Sequence, residues 1–160
     1  MRSSCFVFIL LVIMVSCFGC TQSNSKTNTN SQNKPYTSEE AIKRGDVVQT
    51  SISVNNFDRF INFFSNYNDE KADKIRITGY TIEGDPIFTD LNYDGKKILY
   101  TEDNSNDAYG AKEIIKDVCN KIIEEKKEQR TIWYSLSSCS KDKSYLLISI
   151  DQNDFQYKQE

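Results

Sequence analysis

Apolar residues between positions 36 and 150 recur with two different periods, and each period predicts an element. Thr37 and Glu40 form a capping box ahead of Ala41-Ile42, with Gly45 placed as a stop, which predicts a short helix. Val48, Thr50, Ile52 and Val54 then alternate with Val47, Gln49, Ser51 and Ser53, the period of a half-buried strand. Asn55 or Asn56 can cap a second helix whose stripe is Phe57, Phe60, Ile61 and Phe64. A strand follows with Ile75 and Ile77 inward. Gly79 interrupts it and the apolar phase moves to Tyr80 and Ile82, which predicts a bulge.

After the turn Glu83-Gly84-Asp85-Pro86 comes a strand over 87–93, and Asp94-Gly95 signals a two-residue hairpin. That loop would pair Leu91 with Ile98 and Thr89 with Tyr100. Residues 108–127 read as the longest helix, with Ile114, Ile115, Val118, Cys119, Ile122 and Ile123 as its stripe. Strands over 131–137 and 145–150 finish the pattern. Cys139 shares strand parity with Trp133 rather than with Ile132, Tyr134 and Leu136, so it is expected just past a strand end. The expected fold is α+β: a single domain with a mainly antiparallel sheet of about six strands and two main helices packed on one side.

The first twenty residues follow neither period. Met1-Arg2 leads into an apolar run over 6–15 and then Ser16-Cys17-Phe18-Gly19-Cys20. A basic start, a short apolar core and small residues before a cleavage point make a secretory signal, and the cysteines give it the form of a lipoprotein signal. Met14-Val15-Ser16 ahead of Cys17 fits the lipidation pattern at three positions, and Cys17-Phe18-Gly19 ahead of Cys20 fits at one. Cys17 is the expected lipid-bearing residue, with Cys20 the alternative. A membrane span needs about 20 apolar residues, and this run is shorter.

Residues 21–35 hold no aliphatic or aromatic side chain and read as a disordered tether. The expected organisation is therefore a lipoprotein signal over 1–19, a tether over 20–35, one folded domain over 36–150 and a polar tail over 151–160. The expected location is the outer face of the cytoplasmic membrane, held to the bilayer by an N-terminal diacylglyceryl cysteine.

Composition narrows the chemistry. With Arg2 removed, 19 Lys and Arg stand against 23 Asp and Glu, a net charge of −4. That balance argues against nucleic acid as a partner. The chain has no histidine, which removes Ser-His-Asp and Cys-His catalysis and mixed His/Cys zinc sites. No phosphate-binding glycine loop is present. Beyond the anchor only Cys119 and Cys139 remain in the domain, and an oxidising compartment predicts that they pair. A loop of this size stabilises by about 3 kcal/mol in the chain-entropy model.

The acidic residues give one candidate site. The predicted hairpin register would gather Glu83, Asp85, Glu102, Asp103 and Asp107 at one end of the sheet, where oxygen-rich loops can hold calcium. Two such carboxylates could also act as general acid and base. Acidic turns are more often simply solvated, and residues 103–107 lack the glycine and distal glutamate of a calcium loop. Phe63, Phe88, Tyr109 and Trp133 lie off the predicted core stripes and could mark a binding face.

Gly45-Asp46-Val47-Val48, the run Tyr80-Thr81-Ile82-Glu83-Gly84-Asp85-Pro86-Ile87, Leu91-Asn92-Tyr93-Asp94-Gly95 and Asp103-Asn104-Ser105-Asn106-Asp107 resemble domain-of-unknown-function family 4362, lipoproteins of Gram-positive spore-forming bacteria. The resemblance spans about residues 36–150, and the Cys119 and Cys139 pair fits it. It implies an exported lipoprotein and carries no activity. Two function classes follow: a lipid-anchored binding or accessory module acting on an envelope protein or cell-wall component, or a small exported carboxylate-dependent hydrolase. Absence of histidine and of a nucleophile motif favours the first.

Overall fold

The computed structural model describes residues 36–50 and 53–151. The signal segment with Cys17 and Cys20, the tether, Ser51, Ile52 and the tail from 152 lie outside the described residues.

The chain runs α1 (Ser38–Arg44), β1 (Val47–Gln49), β2 (Val54–Asn55), α2 (Phe57–Asn68), β3 (Asp73–Tyr80), β4 (Pro86–Tyr93), β5 (Ile98–Asp103), β6 (Ile114–Lys126), β7 (Thr131–Cys139) and β8 (Tyr145–Asp151). All eight strands form one sheet in the order β2-β1-β3-β4-β5-β6-β7-β8, antiparallel throughout except β1 with β3. The sheet curls into a nearly closed, barrel-like layer that brings Leu147 of β8 into one pocket with Gln49 of β1, near the other end of the strand order. The expected α+β fold, six strands with two main helices on one side, is therefore corrected to a mostly β domain with two short helices.

The largest change is in residues 108–127. Ile114–Lys126 is a 13-residue strand, not a helix. The same Ile and Val positions satisfy a helical stripe, but they are β-branched, and such residues favour strands. Pairing on both sides then decides the outcome: Ile98 to Asp103 of β5 lie against Cys119 to Ile114, and Cys119 to Lys126 lie against Cys139 to Ile132 of β7. Asp117, Cys119 and Ile122 point inward, while Ile114, Val118 and Ile123 are exposed. Inward parity changes between Cys119 and Ile122, and on β7 between Leu136 and Cys139. Both changes fall at the rung of Asn120 and Ser138, where Ser138 takes φ +53° and its carbonyl accepts the Asn120 amide. That left-handed residue turns Cys139 to the core within the strand rather than past its end.

The expected single strand over residues 48–54 is instead the tight pair β1 and β2, with Gln49 opposite Val54. β3 and β4 pair in continuous register from Asp73–Tyr93 to Tyr80–Pro86, so Gly79 makes no bulge. The apparent phase shift arises because Tyr80 lies on the outer face, where its hydroxyl donates to Tyr36 O, and Ile82 is exposed in the turn. The β4–β5 loop is four residues long, and Leu91 faces Tyr100 while Tyr93 faces Ile98. Asp94 accepts the backbone N–H groups of Lys96 and Lys97, and Gly95 sits at φ +94°. The register moves by two, so the core face is kept.

Inside the curl lies α2. Phe57, Phe60 and Phe63 are buried, whereas Ile61 is exposed, so the buried stripe includes Phe63 in its place. Phe60 and Phe64 both meet the Tyr134 ring edge-on, tying the helix to β7. Beyond the start of β5, the Tyr67 hydroxyl takes over as neighbour of β6, donating to Asn120 O and accepting from Ile122 N–H. Outside the curl lies α1, capped by Thr37 and stopped by Gly45 at φ +90°. Asn56 does not cap α2; its amide donates to Ile42 O and Asp46 O, locking the α1–β1 corner.

Candidate functional site

Three places hold organised polar groups. The first is on the outer face of β3 and β4, beneath α1. Alternation sends Lys74, Arg76 and Thr78 outward on β3, opposite Asn92, Asp90 and Phe88 on β4. Arg76 forms a two-bond fork with Asp90, both at 2.7 Å, and lies over the Phe88 ring. That hydrogen-bonded carboxylate holds the Arg76 guanidinium pKa well above its ordinary value, against the opposing effect of burial. From α2, Arg59 forks onto Asp73 at 3.0 and 2.7 Å. Burial raises the Asp73 pKa, but the hydrogen bonds from Arg59 and Asn66 outweigh it and leave it below the usual value.

Asp46 organises the upper edge of this face. Its Oδ2 accepts the Thr78 and Tyr36 hydroxyls, each at 2.7 Å. Burial first, and then the Asp46 contact, push the Tyr36 pKa up to about 12. Arg44, ion-paired to Glu40, stacks over the Tyr36 ring. Between these groups runs a groove of about 450 Å³ whose walls include Arg44, Arg59, Lys74, Arg76, Asp90 and Asn92. Each arginine carries its own carboxylate, and the Lys74 ammonium has no ion-pair partner among the described residues. Such a face can meet a partner's carboxylate or phosphate at Lys74 and through spare guanidinium N–H groups.

The second place is inside the sheet at the disulfide. Cys119 and Cys139 are bonded at 2.02 Å and buried. Beside them is Asp117, 3% exposed, whose oxygens accept from the Ser140 hydroxyl at 2.5 Å and the Tyr145 hydroxyl at 2.8 Å. Burial pulls its pKa up, but the Ser140 and Tyr145 bonds and two backbone N–H groups prevail and hold it at about 2. A carboxyl kept ionised in this way is the opposite of a general acid. Asp117, Cys119 and Cys139 are the one group of potential ligand atoms among the described residues close enough to share an ion, all within 4.8 Å. The disulfide occupies both sulfurs.

The third place is the acidic sheet end. The turn before β4 and the loop after β5 do meet, because Ala108 N–H donates to Asp85 at 2.9 Å. The carboxylates of Glu83, Asp85, Glu102, Asp103 and Asp107 nevertheless do not converge on one ion position. Hydrogen bonds from the Ser105 side chain first, and then from its backbone N–H, lower the Asp103 pKa. Asp107 caps Tyr109 and Gly110, and Glu102 faces inward and accepts the Tyr100 hydroxyl. The off-stripe aromatics do not form one face either: Phe63 is fully buried, Phe88 packs under Tyr36, Tyr109 is exposed and Trp133 lies beneath Lys127.

The sequence pattern assigns no site role to Asp46, Arg76, Asp90 or Asp117. One signal was there for the last, since Asp117 shares strand parity with Cys119. No curated protein and no solved structure matches the chain. Residues 44–134 match the family described as a domain of unknown function (DUF4362), and the chain belongs to that family.

Proposed function

We propose that this protein is a lipid-anchored binding module at the outer face of the cytoplasmic membrane, an accessory of the cell envelope that acts by contact with an envelope protein or a cell-wall component. One observation carries the reading: the short apolar run that ends in Met14-Val15-Ser16-Cys17. A disulfide within the domain suits an exported protein. The groove beneath α1 is the contact face, because it joins fixed guanidinium forks to the unpaired Lys74 ammonium.

Replacing Cys17 and Cys20 with Ala in the full chain tests the anchor. Release of the protein from the membrane fraction, with loss of incorporated labelled palmitate, is the expected result. Retention in the membrane with both cysteines gone would overturn the lipoprotein reading, and single replacements identify the modified residue. Cross-linking from intact cells tests the contact face. Lys74→Glu should remove the cross-linked partner, and an unchanged partner set would move contact elsewhere.

A further inference from the structure

The curled sheet has a second pocket, of about 400 Å³, which the groove does not share. It sits at the seam where β1 and β8, far apart in strand order, come together. Ile77 and Gly79 of β3, Ile87 and Thr89 of β4 and Leu147 of β8 wall it, and Gln49 and Thr50 close its rim.

Gly79 makes this space. It has the inward parity of Ile75 and Ile77 and sits directly opposite Ile87. A Cβ at Gly79 would meet no atom within 4 Å, and its φ lies outside the left-handed region. Neither backbone geometry nor a close approach requires glycine, which is disfavoured inside a strand. What the missing side chain provides is room.

The inner wall next to that room carries charge. Thr89 stands directly opposite Glu102 on β5. The Glu102 carboxylate accepts the Tyr100 hydroxyl at Oε2, and the Tyr100 ring stacks on Tyr145 with centroids 4.2 Å apart. Tyr145 in turn donates to the buried Asp117 carboxylate. Both charged groups on this stretch of inner face are therefore anionic, and among the described residues neither has an ion-pair partner.

We infer that the seam pocket binds a small amphipathic ammonium compound. Its apolar body lies against Ile77, Ile87 and Leu147 in the space left by Gly79, and its ammonium group faces Glu102 and the Thr89 hydroxyl. The volume is in the range of small-molecule sites, and barrel mouths are a common place for them. A carboxylate on the same apolar body is repelled by Glu102 and Asp117, and a neutral alcohol gains only the apolar contact.

The test uses the full chain in dodecyl maltoside, titrated with n-butylammonium, butan-1-ol and butyrate while amide resonances are followed by NMR. Butylammonium should give saturable shifts centred on Gly79, Ile87 and Thr89, at a concentration at least tenfold lower than butan-1-ol, and butyrate should give none. Glu102→Gln should abolish the tenfold preference for the amine, and Gly79→Val should remove saturable binding of both ligands. Equal responses to butylammonium and butyrate, or binding that survives Gly79→Val, would overturn the assignment. If Gly79→Val does not fold, Glu102→Gln decides, since an unchanged amine preference in that variant also overturns it.

Discussion

Cys119 and Cys139 stand directly opposite each other on neighbouring strands, with Cα atoms 3.9 Å apart, and the Asp117 carboxylate lies within 4.8 Å of both sulfurs. Thiol–disulfide exchange brings a thiolate to one sulfur and leaves a thiolate on the other. A neighbouring carboxylate opposes both charges. Asp117→Asn should therefore speed reduction by dithiothreitol about tenfold, roughly 1.4 kcal/mol in the barrier. Thiol trapping over time measures it, and an unchanged rate would mean that burial alone protects the bond.

The same carboxylate makes stability depend on acid. In the folded state Asp117 titrates at about 2, below the ordinary aspartate value near 3.9. Its contribution is thus complete above about pH 4 and is lost as the pH falls towards 2. Urea midpoints measured from pH 6 to pH 2 should fall more steeply for the native chain than for Asp117→Asn. Asp73, also lowered, acts in the same direction and will leave some slope in the variant.

Thr78 and Tyr36 converge on one oxygen of Asp46. Thr78→Val keeps the shape of a fully buried side chain but takes a hydrogen bond from a buried carboxylate. The expected loss is about 1–3 kcal/mol by chemical denaturation. Tyr36→Phe should cost less, about 0.5–1.5 kcal/mol, and the accompanying change should be faster hydrogen exchange in α1.

Two glycines should respond in opposite ways. Gly95 sits at φ +94°, and a Cβ there would lie 3.0 Å from the Glu70 carbonyl oxygen. Gly95→Ala should destabilise by at least about 1–2 kcal/mol. Gly79 has an ordinary strand backbone and open space beside it, so Gly79→Ala should be neutral or stabilising by up to about 1 kcal/mol. Thermal melts of the two variants side by side decide the matter, and a larger loss at Gly79 would contradict the open pocket.

Local chemistry was readable wherever the cause is local. Thr37, Glu40 and Gly45 bound the first helix because a cap and a left-handed stop act within one turn. The α2 start at Phe57, the strands between residues 73 and 103 and between 131 and 151, and the pairing of Cys119 with Cys139 follow from period and from the small number of cysteines. The basic start and apolar run of the first twenty residues are likewise a pattern of consecutive residues, read independently of the fold.

What the tertiary structure decided were choices between patterns that the residues satisfy equally well. Ile114-Ile115, Val118-Cys119 and Ile122-Ile123 present an apolar residue to a core under either period. Only hydrogen bonding to β5 and β7 selects the strand, because a long strand gains two ladders where a helix would leave both neighbours with open edges. That choice turned a two-layer α+β arrangement into a curled sheet. The curl placed Leu147 beside Gln49, set Asp117 against the disulfide and brought Arg76 to Asp90 under α1. These contacts join residues far apart in the chain, so their geometry depends on strand order and register, which no local spacing encodes.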